Sequence, residues 1–481
     1  MNAPHDLPAF ALSRAADASL TDQLSARFAD RIQQRLLLPG ARLPSVRECA
    51  RRHGVSPTTV VAAYDQLLAQ GLVEARRQRG FFVREPRGAG PVGRAPDDHA
   101  ARLRPPPVDA TALIRGMFAQ DASLPAPGMG TLPAEWLDLP LLQAALRRAM
   151  TAEAARGYRA SSLQYGDPAG DPGLREALSH RMADLGIGCS PGQIVTTMGA
   201  THGLDVVSRA LLQPGDAVLV DEPGWSVEYA RLTRLGVRLL PVPRGPQGPD
   251  LGVMANLLQA HKPRLYATVS VLHNPTGCSL PLAAAHQVLK LAEAHGLLIV
   301  EDDTYVHLAP AHAPRLAALD GLQRTIYISG FSKILAPNWR VGFIAAAPAL
   351  AERFIDQKLL SILTTPALPE QAIAWCITQG QLRRHTERVL AQLDAARSRS
   401  QRLALEAGCR FVTPPAGLFG WIDVGVDTER LAQRMLDDGW LLAPGTLFHA
   451  TPRPTTLMRI NFATSQDARF WQALERTRDT L

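Results

Sequence analysis

The 481-residue sequence lacks the features that mark membrane-spanning and secreted proteins. It contains no run of eighteen or more apolar residues, which is the length that a membrane-spanning helix requires. Its first ten residues, MNAPHDLPAF, include no basic segment followed by an apolar stretch, so no signal peptide is evident. From these absences we expect a cytoplasmic protein that does not cross a membrane.

Cysteine is scarce and scattered. C-x-x-C spacing is typical of zinc sites and redox motifs, and an even set of cysteines is typical of disulfide-stabilised secreted domains. Neither pattern occurs, because the five cysteines are Cys49, Cys189, Cys278, Cys376 and Cys409. The sequence therefore predicts a reducing compartment, no disulfide framework and no metal site.

Lysine is absent from the first 104 residues, yet this segment carries most of the positive charge. It holds 16 arginines against 10 acidic residues, a surplus of six within a total net charge of +7. The other residues hold 35 basic and 34 acidic side chains. A basic segment attached to a nearly neutral body predicts a polyanionic partner for that segment alone. Charge by itself fits a solvated basic surface equally well.

Composition divides the chain into four parts. Residues 1–16 resemble disordered chain, and residues 17–85 carry helix signals followed by two short strands. Residues 86–108 are rich in proline and glycine, which is typical of a semi-extended linker. Residues 109–481 alternate helical stretches with short apolar strands, a pattern that predicts an α/β fold with a doubly wound, mostly parallel sheet. Ligands of such sheets bind beyond the carboxyl ends of the strands.

The segment before the linker contains two capped helices separated by a short turn. Ser45 and Glu48 have the spacing of a capping box, and Ser56-Pro57 begins the next helix, which stops near Gly71. The following LVEARRQRGFFV is typical of a hairpin with an arginine-rich turn. This arrangement predicts a winged helix-turn-helix, although a helical bundle used for protein contacts gives a similar pattern.

In a helix-turn-helix, the second helix lies in the DNA major groove with its N-terminal residues nearest the base edges. Arginines around it bind phosphates, which positions the protein without reading sequence. The predicted DNA contacts are Ser56, Thr58 and Thr59 in the second helix, Arg47, Arg51 and Arg52 in the first, and Arg76, Arg77 and Arg79 in the hairpin.

From about residue 20 to residue 84, the sequence resembles the winged helix-turn-helix of GntR-type bacterial regulators. Two positions depart from that resemblance. Such domains usually have arginine after the serine that caps the recognition helix, where this chain has Pro57, and often glycine in the wing, where it has Gln78. The missing arginine would normally contact a base, so the operator sequence cannot be transferred from relatives.

The larger part of the chain carries the residue types that a phosphorylated pyridine aldehyde requires. Such a cofactor needs a lysine for its aldehyde, a carboxylate for its ring nitrogen, donors for its phenolate oxygen and a stacking ring. Its phosphate needs a helix N-terminus with Arg and Ser, and a substrate carboxylate needs a further arginine. The candidates are the N–H groups of Ala200 and Thr201 for phosphate, Trp225 for stacking, Asn274 and Tyr305 for the phenolate, Asp302 for the ring nitrogen, Ser332 and Arg340 for phosphate, Lys333 for the aldehyde and Arg459 for a carboxylate. Each motif alone is common, and it is their order on successive strand ends that predicts the site.

This order resembles that of fold type I aminotransferases, which use pyridoxal 5′-phosphate, over about residues 125–475. The resemblance implies a large domain with a small C-terminal α/β subdomain. It also implies a homodimer with shared sites, in which Tyr165 of YGDPAGDPGLREAL reaches the cofactor phosphate of the partner subunit. Gly330 stands where the family usually has a phosphate-binding Ser or Thr, which implies weaker binding of the phosphate.

A GntR-type domain joined to an aminotransferase-like domain resembles the MocR subfamily of transcriptional regulators. That resemblance implies a head-to-tail homodimer, repeated DNA sites and an amino-compound effector sensed through aldimine exchange at Lys333, with weak or no turnover. Two alternatives stay open on sequence alone. The protein could be an active aminotransferase with an attached DNA-binding module, or a regulator that uses its large domain only for dimerisation.

Overall fold

The computed structural model describes residues 12–13, 18–33, 37, 40–76, 79–84, 126–156 and 164–481. The predicted linker 86–108 and nearly all of residues 1–16 lie outside the described residues, so the predicted domain boundaries stay predictions. Within the described residues, no helix combines the length and the apolar character needed to cross a membrane.

Where the structure describes it, the N-terminal domain consists of three helices and a hairpin. Its elements are α1 (Leu20–Gln33), α2 (Val46–His53), α3 (Pro57–Ala69), β1 (Val73–Arg76) and β2 (Gly80–Val83), with the two strands antiparallel. The hydroxyl of Ser45 accepts a hydrogen bond from the backbone N of Glu48 (3.2 Å), and that of Ser56 accepts one from the backbone N of Thr59 (3.0 Å). The turn between α2 and α3 begins at Gly54, whose φ of 63° favours glycine.

One face of helix α3 is buried in the core of the N-terminal domain. Val60, Tyr64 and Leu67 have the i, i+4, i+7 spacing of a helical stripe and are fully buried against α1 and the hairpin. The Tyr64 ring packs edge-on against Phe28 and Phe81, and its hydroxyl donates to the backbone oxygen of Pro44 at 3.0 Å. Packing on this side leaves the opposite face of α3 to solvent.

The main sheet has eight strands within the described residues. They are β3 (Ile194–Thr197), β4 (Ala217–Glu222), β5 (Arg238–Gly245), β6 (Gly248–Pro249), β7 (Leu265–Thr268), β8 (Leu298–Asp302), β9 (Thr325–Gly330) and β10 (Gly342–Ala345). Their order is β3-β10-β9-β8-β7-β4-β5-β6, and the five central strands from β9 to β5 are parallel. The predicted mostly parallel sheet is confirmed, and β10 and β6 are its antiparallel members.

Helices cover both faces of this sheet, which makes it doubly wound. In β4, Val218 and Val220 belong to the cluster that contains Phe354, whereas Leu219 belongs to the cluster that contains Leu258. The α-helices described between residues 139 and 406 are α4 (Leu139–Arg156), α5 (Pro172–Ala183), α6 (Gly199–Leu211), α7 (Ser226–Arg234), α8 (Leu251–His261), α9 (Leu282–His295), α10 (Leu316–Asp320), α11 (Pro348–Ile362), α12 (Ala367–Thr378) and α13 (Gln381–Glu406).

A small antiparallel sheet follows α13. Its strands are β11 (Arg410–Phe411), β12 (Phe419–Asp423), β13 (Ala443–Pro444) and β14 (Leu457–Asn461), in the order β11-β12-β14-β13, with helices α14 (Thr428–Asp437) and α15 (Ala468–Arg478). This is the small C-terminal subdomain that the resemblance implied. Residues 126–131 pack against it, since Asn461 donates its backbone N to Pro127 (2.9 Å) and its side chain to Met129 (3.1 Å).

The N-terminal domain contacts this subdomain through ion pairs at Asp437, the last residue of α14. Arg31 of α1 and Arg52 of α2 both pair with the Asp437 carboxylate. Only 11% of the Arg31 and Asp437 side chains and 24% of the Arg52 side chain are exposed, so solvent screens these pairs only in part.

The same contact satisfies carbonyl groups at the end of α14. The last turn of a helix leaves its carbonyl oxygens without intrahelical partners, and positive charge is favourable there. Arginines of the N-terminal domain supply the donors: Arg31 to Leu436 (2.9 Å), Arg52 to Arg434 (3.2 Å) and Arg27 to Asp437. We call this set of contacts the Asp437 seam.

Candidate cofactor site and DNA interface

The start of α6 forms the phosphate end of the predicted site. No side chain caps this helix, so its first N–H groups, including those of Ala200 and Thr201, are available to an anion. Arg340 lies beside them, donating to the backbone oxygen of Met198 (3.1 Å) and to the hydroxyl of Ser332 (3.2 Å). The structure thus brings together all four predicted phosphate-binding residues of this chain.

Glycines permit this close approach. A Cβ on Gly199 would overlap the guanidinium of Arg340, and a Cβ on Gly342 would lie 2.6 Å from the carbonyl carbon of Gly199. The antiparallel strand β10, which pairs Gly342 with both Thr197 and Gly330, therefore sets the width of the phosphate cradle. The sequence did not predict β10, although the glycine that follows Arg340-Val341 was a signal for it.

Asp302 and Trp225 line one narrow cavity beside the parallel strands. Asp302 ends β8, where its Oδ1 accepts hydrogen bonds from the backbone N (3.0 Å) and the hydroxyl of Thr304. Burial raises the pKa of Asp302 to about 6, while the Thr304 hydroxyl bond opposes that rise and the charge of Glu228 adds to it. A pyridine nitrogen placed here would share its proton with this carboxylate and stay protonated.

Asn274 and Tyr305 meet where the phenolate oxygen of the cofactor was predicted to bind. Burial raises the pKa of Tyr305, while the nearby Asn274 side chain opposes that rise, so the Tyr305 hydroxyl stays protonated and can donate. The Asn274 Oδ1 accepts a hydrogen bond from Arg459 at 2.8 Å, which leaves the amide nitrogen for the phenolate.

Lys333 follows β9 and is largely enclosed. Its Nζ donates to the backbone oxygen of Gly130 at 2.8 Å. Burial lowers the pKa of Lys333 to about 8, with a further lowering by Arg459 and Arg340 and an opposing rise from Asp302. A lysine must be neutral to attack an aldehyde, so this environment prepares the amine for covalent attachment near neutral pH.

Arg459 lies in a cage of two phenyl rings. Its guanidinium carbon lies 4.3 Å from the ring centre of Phe419 and 5.1 Å from that of Phe448, and its Nη2 donates to the oxygen of Gly128 at 2.8 Å. Burial lowers the pKa of Arg459 to about 10, and its Nε has no hydrogen-bond partner among the described residues. A buried cation with free donor capacity fits a ligand carboxylate.

The sequence did not predict several residues of this site. Gly128 and Gly130 supply backbone oxygens from a segment more than two hundred residues before Lys333. The PGMG turn was visible, but its partners were not. Other residues that it missed are Phe419 and Phe448 around Arg459, Thr304 on Asp302, and His202, whose Nδ1 accepts from the backbone N of Met198.

Tyr165 is separate from this cluster. Its side chain is 81% exposed, and none of the contacts found for the cofactor residues involves it. Its predicted contact with the phosphate of a partner subunit stays a prediction.

The predicted DNA contacts fall into three groups. Arg47, Arg51, Thr58 and Arg79 are exposed. Other predicted residues have partners within the chain: Ser56 and Thr59 share a hydrogen bond (2.8 Å), Arg76 pairs with Glu74 (2.7 Å) over the ring of Phe82, and Arg52 joins the Asp437 seam. Arg77 lies outside the described residues. Arg42, which was not predicted, is exposed beside Gly80 of the wing.

Models of known protein families match both parts of the chain. Residues 138–476 match the model for aminotransferase class I and II, and residues 20–83 match the model for bacterial regulatory proteins of the gntR family. The chain belongs to the aminotransferase class I and II family. Its N-terminal domain is of the GntR type. These matches confirm the predicted fold class and pyridoxal 5′-phosphate as the cofactor.

Relatives include both regulators and enzymes. The uncharacterized HTH-type transcriptional regulator YdcR of Escherichia coli is 28% identical over 94% of this chain and 97% of its own length. The HTH-type transcriptional regulator TauR of Rhodobacter capsulatus is 29% identical over 91% of both chains. The 2-aminoadipate transaminase of Thermus thermophilus is 29% identical over 63% of this chain and 77% of that protein.

The large domain also resembles solved structures. LysN, an alpha-aminoadipate aminotransferase from Thermus thermophilus solved with N-(5′-phosphopyridoxyl)-L-leucine, superposes with a TM-score of 0.69 and 26% identity. The match covers 76% of this chain and 94% of that one. Full-length similarity to regulators confirms the MocR-type domain combination that the sequence analysis recognised.

We expect the lowered pKa of Lys333 to control how fast the cofactor attaches. Below a pH of about 8 the attachment rate should rise roughly tenfold per pH unit and then level off, because only the neutral amine attacks. If the pKa of Lys333 were that of an ordinary lysine, the attachment rate would keep rising up to a pH of about 10. Stopped-flow absorbance after mixing apoprotein with pyridoxal 5′-phosphate measures this. Lys333→Ala should give no covalent product, whereas Lys290→Ala, an exposed control, should match the wild type.

Gly330→Ser should tighten cofactor binding. A Cβ at this position would lie 3.6 Å from the backbone N of Ala200, so a serine hydroxyl could reach the phosphate. One charge-assisted hydrogen bond predicts an affinity gain of about tenfold, measured by equilibrium titration. Gly330→Ala is the matched control, because it adds the Cβ without the hydroxyl. Equal weakening by both variants would mean that crowding against Val341 oxygen, 3.1 Å from that Cβ, outweighs the new bond.

Proposed function

We propose that this protein is a pyridoxal 5′-phosphate-dependent, DNA-binding transcriptional regulator that senses an amino compound through its cofactor at Lys333. The observation that carries the proposal is the Asp437 seam, which connects the GntR-type domain to the subdomain that holds Arg459. Full-length similarity to proteins named as transcriptional regulators supports it.

The effector class follows from the residues around Lys333. When bound, pyridoxal 5′-phosphate supplies an aldehyde that links reversibly to primary amines. Arg459 holds its guanidinium about as close to Gly130 as Lys333 holds its amine, with both atoms within 4 Å of a Cβ built on that glycine. An effector with one amine and one carboxylate would therefore use both residues. We propose an amino acid as that effector.

A short structural path joins this carboxylate site to the DNA-binding domain. Helix α14 ends at Asp437, and the chain then enters β13, where Ala443 pairs with Arg459 of β14. Phe448, eleven residues after Asp437, packs on the Arg459 guanidinium. A carboxylate on Arg459 would act directly on residues that are continuous with the seam.

Coupling through this path requires two arrangements of the seam. A ligand shifts an equilibrium only to the extent that it binds the two states differently. The subdomain carries both Arg459 and Asp437, so we propose that its movement toward a bound carboxylate displaces α14 relative to α1 and α2. The N-terminal domain would then be reoriented rather than unfolded.

We also propose a head-to-tail homodimer on repeated DNA sites. The 81% exposure of Tyr165 supports this, because a large aromatic side chain at the predicted position is left free to enter a partner's site. Two N-terminal domains per dimer would then bind two half-sites.

A second candidate function is a working aminotransferase that carries a DNA-binding module. The complete set of Lys333, Asp302 and Arg459, together with the similarity to a transaminase, favours it. Turnover distinguishes the two proposals. An aminotransferase must convert the cofactor to its amine form and be restored by a keto acid, whereas a sensor need only exchange amines.

The test is a visible spectrum of the purified holoprotein during titration with a panel of amino acids. For a regulator, we expect one amino acid to shift the cofactor band to a stable new position and to change DNA affinity. Arg459→Met should weaken that response by about tenfold or more, because it removes a charge-assisted bidentate contact. Bleaching followed by recovery with a keto acid would establish the aminotransferase instead.

Asp437→Asn should uncouple the effector from DNA. It removes the charge that pairs with Arg31 and Arg52 but leaves the cofactor site unchanged. The ratio of DNA Kd values with and without effector should fall toward one, while the spectral titration keeps its wild-type midpoint. Asp394→Asn, at an exposed ion pair with Arg397 of α13, is the control and should retain the full ratio. An unchanged ratio in Asp437→Asn would remove the seam from the coupling path.

A further inference from the structure

One face of α3 is free of the protein core. Thr58, Val61, Ala62 and Asp65 have i, i+3, i+4, i+7 spacing and therefore form one stripe along the helix. Thr58, Val61 and Asp65 are exposed and Ala62 is half-buried. The Val61 side chain, at 41% exposure, is among the few large apolar groups left to solvent in the described residues. We call this set the α3 stripe.

The stripe has no side chain suited to bidentate readout of guanine or adenine. Bidentate readout of guanine uses Arg or Lys, and that of adenine uses Asn or Gln. Helix α3 contains no Arg, Lys, His or Asn, and Pro57 occupies its first position. Its single Gln66 is turned away, because its Nε2 donates to the Asp22 carboxylate of α1 at 2.8 Å.

Methyl groups are what the stripe offers instead. Val61 presents two, and Thr58 and Ala62 add one each. In the major groove, thymine is the base that carries a methyl group, and apolar side chains recognise it by contact. The stripe is about 10 Å long, which is the rise of about three base pairs.

We propose that α3 reads thymine methyl groups through Val61, flanked by Thr58 and Ala62, so that each operator half-site carries A·T pairs at that point. The inference rests on the proposed DNA-binding function and names the base that the recognition helix selects. Asp65 lies at the far end of the stripe, where its charge disfavours phosphate, so the N-terminal half of α3 faces the bases.

The surroundings of the stripe support this orientation. The Asp437 seam uses α1 and the end of α2, through Arg27, Arg31 and Arg52, and leaves the stripe exposed. Arg47 and Arg51 of α2 are exposed on the preceding helix, where they can bind phosphates beside the groove. The domain can therefore bind DNA in the arrangement that the structure describes.

The experiment removes single methyl groups from DNA. Binding sites are first selected from a randomised duplex library with the full-length holoprotein. Each thymine of the selected half-site is then replaced by deoxyuridine, which lacks only the C5-methyl group. We expect one or two positions at which this replacement lowers affinity about three- to tenfold.

A double-mutant design assigns the contact to Val61. Val61→Ala should lose affinity for the thymine duplex and become insensitive to uracil at those positions. Gln70→Ala, an exposed substitution just beyond the end of α3, should keep the full uracil effect. Uracil sensitivity that persists in Val61→Ala would assign the methyl contact to another residue and overturn the proposal.

The remaining outcomes separate this inference from the proposed function. Selected sites that bind tightly but show no uracil effect, or that consist of G·C pairs, overturn the methyl readout and leave DNA binding intact. Failure to select any DNA, from protein that shows the cofactor band, overturns the proposed function and this inference with it.

Discussion

The buried guanidinium of Arg459 is the interaction on which the arrangement of the large domain depends. It lies between two phenyl rings of the small subdomain and donates to Asn274 beyond β7 and to Gly128 of the segment that leads into the large domain. A desolvated cation must keep its hydrogen bonds, so these three parts of the chain cannot separate without a large cost in free energy. Movement at Arg459 is therefore movement of the whole subdomain, which includes α14 and the Asp437 seam.

The charges of the site explain what it binds. Lys333, Arg340 and Arg459 lie around Asp302, and burial lowers the pKa of each cation, with a further lowering of the pKa of Lys333 by the two arginines. A phosphate at the start of α6 and a carboxylate at Arg459 would supply the missing negative charge. Either anion favours protonated neighbours, so its binding raises the pKa values of these groups. The site can therefore accommodate two anionic groups. The cofactor supplies the phosphate, and the carboxylate would have to come from another ligand.

Sequence alone predicted the strand ends that carry the cofactor residues, because each is a short apolar run followed directly by a polar motif. It also predicted the caps of α2 and α3, which depend on residues three positions apart.

The sequence could not predict β5, whose two prolines are atypical of an interior strand, or the antiparallel β10. The bond between Lys333 and Gly130 and the pairing of Arg52 with Asp437 join residues hundreds of positions apart, and no local pattern encodes such contacts. Arg52 shows the consequence most clearly. An arginine at this position suggested a contact with a DNA phosphate, whereas in the structure the Arg52 guanidinium pairs with the carboxylate of Asp437.

Arginines of the N-terminal domain either are predicted to bind DNA phosphates or pair with Asp437. Neither role reads bases, which limits the DNA sequence specificity of the domain. Arginines on phosphates supply affinity without sequence information, and the contacts proposed for the α3 stripe are methyl contacts, each of which would discriminate by a small factor. One domain of this kind would distinguish its operator poorly from bulk DNA. Two domains held at a fixed separation multiply their discrimination, because a wrong spacing loses one half-site completely. In the proposed dimer, specificity would therefore come from the spacing of its two N-terminal domains, and the Asp437 seam would set that spacing. Under this proposal, an effector that reorients the N-terminal domains would change the spacing, which is the property on which selective binding would depend.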